Sequence, residues 1–196
     1  MIPLNLDKQT LTRLRHLTGT VHYQFLGFTI NLEDCAIIDN FNSSAQNLTD
    51  VLAVRLIAPL LSHYAMGKPS PLTGRLIKFK DLPGGYAYEG AFINRAVKPL
   101  EWVFGDSPAL LSDAAELLGG RRMSLGDVSA EISVLRYLPL TFILYVSDEF
   151  GASANILYDE SAASFLPTED LAVLGELTVL RIIAAKEMVL KKRFLF

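Results

Sequence analysis

Residues Asp127–Tyr158 read DVSAEISVLRYLPLTFILYVSDEFGASANILY, and the spacing of apolar runs in this stretch decides the fold class. It predicts three strands, roughly Asp127–Leu135, Leu138–Val146 and Asn155–Tyr158, separated only by Arg136-Tyr137 and by Ser147–Ser153. Parallel neighbours would need a crossover of about a dozen residues, so connections this short imply antiparallel pairing. A second signal lies upstream at Thr20–Glu33. There Val21, Tyr23 and Phe25 alternate with polar residues, Leu26-Gly27 turns the chain, and Phe28, Ile30 and Leu32 alternate again, which predicts a hairpin.

Away from these strands the apolar period changes to that of a helix. The clearest helix follows Thr168. The threonine is expected to cap it, Glu169 and Asp170 suit the positive end of its dipole, and Val173, Leu177, Leu180, Ala184 and Met188 form an apolar stripe, of which Val173, Leu177, Leu180 and Ala184 are expected to be buried. Earlier in the chain, the polar run Asp39–Asn47 predicts a loop. Asn47 or Thr49 can then cap a helix reaching about Met66, with Pro59 a candidate kink. Lys68–Leu72 holds two prolines and predicts a turn, Arg75–Lys80 alternates as a short strand, and Asp81–Gly85 (DLPGG) turns again. Helices are expected over Ala87–Phe104, weakened by Pro99, and over Pro108–Leu118, closed by Gly119-Gly120. Strands grouped apart from helices give an α+β class: an antiparallel sheet with an N-terminal hairpin, packed by several helices including a long C-terminal one. The 196 residues suit a single domain, and no repeat, linker or low-complexity run divides them.

Hydrophobic residues make up 51% and charged residues 20%, a balance that excludes a disordered chain. The longest apolar run, Leu138–Val146, is less than half of the ~20 residues a bilayer-crossing helix needs, so no membrane span is expected. The stretch MIPLNLDKQTLTRLRHL sets charges among its leucines and lacks the apolar region of a secretory signal, which favours a cytoplasmic location. Cys35 is the single cysteine, so an internal disulfide, a cysteine-ligated iron–sulfur cluster and a CxxC site are excluded. A net charge of -3 without a basic stripe argues against nucleic acid as a partner. Lys186, Lys191, Lys192 and Arg193 form the densest basic cluster, but they fall where cations complement the negative end of a helix.

Chemistry-bearing motifs are sparse. His16, His22 and His63 are too far apart for paired metal-ligand spacing, so no metal site is expected. No GxSxG elbow surrounds a serine, and neither GxGxxG nor a P-loop is present. The adjacent carboxylates Asp148-Glu149, Asp159-Glu160 and Glu169-Asp170 read as turn and helix-start residues. The segment His63–Phe92 is the best candidate surface. It combines His63 with Tyr64 and Tyr88, aromatic faces that carry hydroxyls, and with Gly84-Gly85, where backbone can approach a ligand. The same residues also read as a helix-end histidine and as a type II turn at Pro83-Gly84. Convergence of His63, Tyr88 and the Gly84-Gly85 backbone on one concavity is what a binding site requires.

Three strings carry a resemblance: YQFLGFTIN at Tyr23–Asn31, HYAMGKPSPLTGRLIKFKDLPGG at His63–Gly85, and FLPTEDLAVLGE at Phe165–Glu176. Together they resemble the prokaryotic family known as domain of unknown function 3786. The likeness extends over nearly the whole chain and implies no established activity and no identified cofactor. Some relatives look as though they carry an added iron–sulfur module of corrinoid and one-carbon metabolism, and this chain departs from them because Cys35 alone cannot hold a cluster. The resemblance therefore implies a corrinoid or redox setting only by analogy.

Three functions remain open on the sequence. The first is a non-catalytic module binding a small molecule, cofactor or protein partner, with His63, Tyr64, Gly84, Gly85 and Tyr88 as ligand-binding residues. The second is an enzyme using His63 with a carboxylate such as Asp81, Glu89 or Asp170 as general acid or base. The third is a structural subunit of a larger complex.

Overall fold

The computed structural model describes residues 1–41, 53–147, 149 and 151–194. A four-stranded antiparallel sheet is built from β1 (Ile2–Pro3), β2 (His22–Phe25), β3 (Phe28–Asn31) and β4 (Ala36–Asp39) in the order β1-β4-β3-β2. The expected hairpin is β2-β3, with Tyr23 opposite Ile30 and Phe25 opposite Phe28. Leu26 (φ 50°) and Gly27 (φ 77°) both take left-handed conformations, the requirement of a type I′ turn whose twist matches the strands. A β carbon on Gly27 would run into the Phe41 ring, so the turn needs glycine for space as well as for φ.

The predicted strands after Asp127 lie in a separate, five-stranded antiparallel sheet rather than beside the hairpin. It comprises β5 (Leu76–Lys78), β6 (Arg121–Met123), β7 (Val128–Leu135), β8 (Leu138–Ser147) and β9 (Gly151–Asp159), in the order β5-β9-β8-β7-β6. Tyr137 has φ 70° in the tight β7-β8 connection. β9 begins at Gly151, earlier than its sequence suggests, and pairs with β8 as far as Ser147 opposite Gly151. Ala130, Ile132, Leu140, Phe142, Leu144, Ala154, Ile156 and Tyr158 share one buried face through this register.

Between Asp7 and Gly19 the chain forms helix α1 (Lys8–Thr18), which apolar periodicity leaves unassigned. The Asp7 carboxylate accepts from Thr10 N–H at 2.7 Å and Gly19 closes the helix in a left-handed conformation. Most of the polar run at 39–47, with the candidate caps Asn47 and Thr49, lies outside the described residues. A π-helical turn, Ala53–Ile57, leads into α2 (Ala58–Met66), and Pro59 sits in the first turn of α2. The same arrangement recurs downstream. After α3 (Glu89–Phe92), a π-helical turn Ile93–Val97 precedes α4 (Lys98–Phe104), which carries Pro99 in its first turn. Proline lacks an N–H and crowds the carbonyl four residues back, and a widened turn ahead of it lets the helix pass through without breaking.

α5 (Ala109–Leu117) precedes β6, and the last described element is α6 (Thr168–Phe194), 27 residues long. Its buried face differs from the expected stripe. Leu171, Leu174, Thr178, Ile182 and Ala185 are buried together with Leu177, whereas Leu180 is 53% exposed and Val173 and Ala184 are half-buried. Apolar residues surround this helix on most sides, so periodicity alone does not select the face. Arg181 selects it. The guanidinium is buried against the hairpin, donating to Leu26 O at 2.8 Å and to both oxygens of Asp39 at 2.7 and 3.0 Å. The Phe28 and Phe41 rings sandwich it at 4.0 and 4.6 Å from their centroids. One cluster of buried side chains includes residues of both sheets and of α6.

A second buried anion fixes the loop before β5. Asp159 accepts from Thr73 N–H, Gly74 N–H, Ser161 N–H and the hydroxyls of Thr73 and Ser161 at 2.6–3.1 Å. Burial alone would raise the carboxyl, but hydrogen bonds from Ser161, Thr73 and Gly74 outweigh it and hold the pKa at about 2, below the ordinary 3.8. The folded-state pKa is depressed, so this stabilisation is complete above pH ~4 and disappears as pH falls through about 2, a change worth about 2 kcal/mol. Urea midpoints followed from pH 5 to 2 are expected to fall in the wild type. In Asp159→Asn that share of the acid dependence should be missing; an identical slope in both proteins would contradict the assignment.

Candidate functional site

His63 lies in the last turn of α2, and Asp170 lies in the first turn of α6. Their side chains meet with Nδ1 of His63 2.6 Å from Oδ2 of Asp170. The helix start favours a carboxylate at Asp170, and the carboxylate in turn fixes the imidazole ring. The histidine side chain is 57% exposed and the aspartate 17%, so the pair stands at a surface with the acid on its inner side. Nε2 of His63 has no hydrogen-bond partner among the described residues.

The imidazole borders a groove of about 440 Å³, with His63, Met66 and Gly67 on one side and Ala163–Pro167 on the other. Local backbone contacts hold the two sides together. Lys68 N–H donates to Ser164 O at 2.9 Å, and a β carbon on Gly67 would collide with the backbone of Phe165. Phe165 stacks against the rings of both Tyr64 and Tyr137 and so fixes the inner wall. The Ser164 hydroxyl donates to Ser161 O at 2.7 Å and is committed to the backbone. The groove is therefore an apolar trough with one oriented imidazole at its rim.

The other residues singled out in the sequence have distinct placements. Tyr64 is fully buried, its hydroxyl donates to the Arg136 carbonyl, and burial, reinforced by Tyr137, pushes its pKa up to about 12. Gly84 (φ 76°) occupies the third position of a type II turn closed by Gly85 N–H to Leu82 O at 2.9 Å. Gly85 packs against Phe79 O, where a β carbon has no room. The turn abuts the start of α6, because Thr168 Oγ1 donates to Pro83 O at 2.7 Å instead of facing its own helix. Tyr88 is half exposed. Neither Gly84, Gly85 nor Tyr88 lines the groove that His63 borders.

Of the three carboxylates considered for His63, only Asp170 reaches it. Asp81 accepts from Lys78 N–H at 3.3 Å, and Glu89 borders a different cavity with Lys78, Phe79 and Lys80. The acidic pairs are accounted for locally where they are described: Asp159 by its five donors and Glu160 by Arg75 at 2.9 Å, while Asp148 lies outside the described residues. In the basic cluster, Lys186 donates to Val103 O and Arg193 pairs with Asp113. Among the described residues no three of His, Cys, Asp and Glu gather as metal ligands, and no helix is long and apolar enough to cross a membrane.

Sequence reasoning reached His63 and Asp170 but not the groove. Met66, Gly67 and Phe165–Pro167 lie within two of the strings that carry the family resemblance, yet nothing in a one-dimensional pattern says that these strings touch. No curated protein and no solved structure matches the chain. The profile of the family described as Domain of unknown function (DUF3786) matches residues 14–181, a span that contains both His63 and Asp170, and the chain belongs to that family.

Proposed function

We propose that this chain is a cytoplasmic accessory module that binds a small molecule in the groove beside His63. The observation that carries the reading is the 2.6 Å contact between His63 and Asp170 at the rim of an otherwise apolar trough. Such a site suits a ligand with an apolar body and one polar group directed at Nε2. The whole chain is taken as one folding unit, a reading supported by the shared buried cluster. The corrinoid or redox setting rests on family resemblance alone, and an absorbance spectrum of protein purified from its native host tests it.

The test of the site is His63→Ala. The imidazole is 57% exposed and a surface contact of this kind contributes about 0–1 kcal/mol, so the melting temperature should stay within a few degrees. Affinity for the molecule recovered by native mass spectrometry should fall at least ~10-fold. A variant that loses stability but keeps its affinity would remove His63 from the site.

The same contact favours a second reading, in which His63 is a general acid or base oriented by Asp170. The Ser164 hydroxyl is bound to Ser161 O, so water or a substrate group would have to be the nucleophile. Asp170→Asn separates the readings. Catalysis predicts a fall in kcat with KM little changed, and a binding module predicts no turnover in either protein.

A further inference from the structure

Gly67 borders more than the His63 groove. A second cavity of about 260 Å³ is lined by Arg13, His16 and Leu17 of α1 and by Ala65, Gly67 and Pro69. Gly67 belongs to both cavities, so the His63 groove and this one adjoin across a residue without a side chain. Among the described residues no aspartate or glutamate lines either cavity, and Asp170 stands behind the His63 ring.

Arg13 differs from most arginines of the chain. Arg75, Arg121, Arg122, Arg181 and Arg193 each pair with a carboxylate. Among the described residues, Arg13 has instead a 3.5 Å contact to Ala65 O and a 3.2 Å contact to the Met66 sulfur, both through Nη1. Those contacts steady the side chain and leave its remaining N–H donors uncommitted, with His16 one turn further along the same helix face. A second guanidinium, Arg136, donates to the carbonyl of Leu17, one of the residues that line this cavity, at 2.9 Å. The rest of the lining, Leu17, Ala65, Gly67 and Pro69, is apolar.

We propose that Arg13 and His16 form an oxyanion subsite continuous with the His63 groove, so that the ligand is an organic anion whose apolar body crosses Gly67. This inference rests on the reading of the His63 groove as a binding site and names the ligand class. Carboxylate and phosphate present the same acceptor chemistry to a guanidinium fork and an imidazole. A simple structural role for Arg13, holding α1 against the end of α2, would give no charge preference.

The experiment titrates the full chain with hexanoate, hexyl phosphate and neutral hexanol while amide resonances of His16, His63 and Gly67 are followed by NMR. The two anions should bind saturably and at least ~10-fold more tightly than hexanol. Whichever anion binds more tightly identifies carboxylate or phosphate as the headgroup. Arg13→Gln should erase the preference, and Arg13→Lys should retain part of it; the dispersion of each spectrum reports folding. Equal binding of hexanol, or an undiminished preference in Arg13→Gln, overturns the subsite. Anion binding lost in Arg13→Gln but unchanged in His63→Ala would leave the subsite standing and refute the His63 reading. Absence of binding by all three probes refutes both.

Discussion

Replacing Asp39 by alanine is expected to cost about 3–5 kcal/mol of folding stability, because it leaves the Arg181 guanidinium buried with no counter-charge. The wild-type arrangement satisfies this cation from several directions: two carboxylate oxygens, the Leu26 carbonyl and two aromatic faces. Removing the carboxylate removes the strongest of these partners and leaves the charge buried. In a chain of this size the loss should lower the melting temperature by on the order of 10 °C. Arg181→Met should also be strongly destabilising, because it leaves the Asp39 carboxylate, 7% exposed, without the guanidinium. The double variant should recover much of the loss, since replacing both partners ends the desolvation penalty. Urea denaturation of the four proteins checks the cycle, and a loss below about 1 kcal/mol for Asp39→Ala would contradict the buried-pair assignment.

The second large effect is expected on α6. Leu177→Ala should cost about 2–5 kcal/mol through lost burial and a residual cavity, because Leu177 is buried in the core cluster. Leu180→Ala, three residues along and 53% exposed, should stay within about 0.5 kcal/mol. Thermal melts of the two variants side by side test which face of the helix is inside. Equal losses would mean that the burial pattern is wrong.

The contrast between Leu177 and Leu180 also shows where sequence reasoning stops. A strand has a period of two, so alternation in Tyr23–Asn31 fixed the faces of the hairpin directly, and Leu26-Gly27 located its turn. The run Leu138–Val146 was legible as a strand from its short connections. On α6 the apolar residues are too numerous to single out one stripe, and the element that settles orientation is an arginine, a residue that reads as surface. Its burial depends on Asp39, 142 residues away, and no local pattern contains that pairing. Short strands with weak signatures were likewise hidden. β6 is Arg-Arg-Met, whose strand state comes from pairing with β7 and not from propensity. The candidate site was legible in part for a related reason. Helix ends draw a histidine at the carboxyl end and carboxylates at the amino end, so His63 and Asp170 each stood out alone. Their meeting across 107 residues, and the apolar groove between Met66 and Phe165, come from tertiary packing.

That meeting is best examined by long-range proton–nitrogen NMR of the His63 ring in the wild type and in Asp170→Asn, at alkaline pH where an ordinary imidazole is neutral. If Asp170 orients His63 at the groove, the wild-type ring carries its proton on Nδ1, donated to the carboxylate, with Nε2 unprotonated and open to a ligand. Asp170→Asn should shift the ring away from that tautomer. A wild-type ring protonated on Nε2, with a spectrum unchanged in Asp170→Asn, would contradict the pairing and the site built on it.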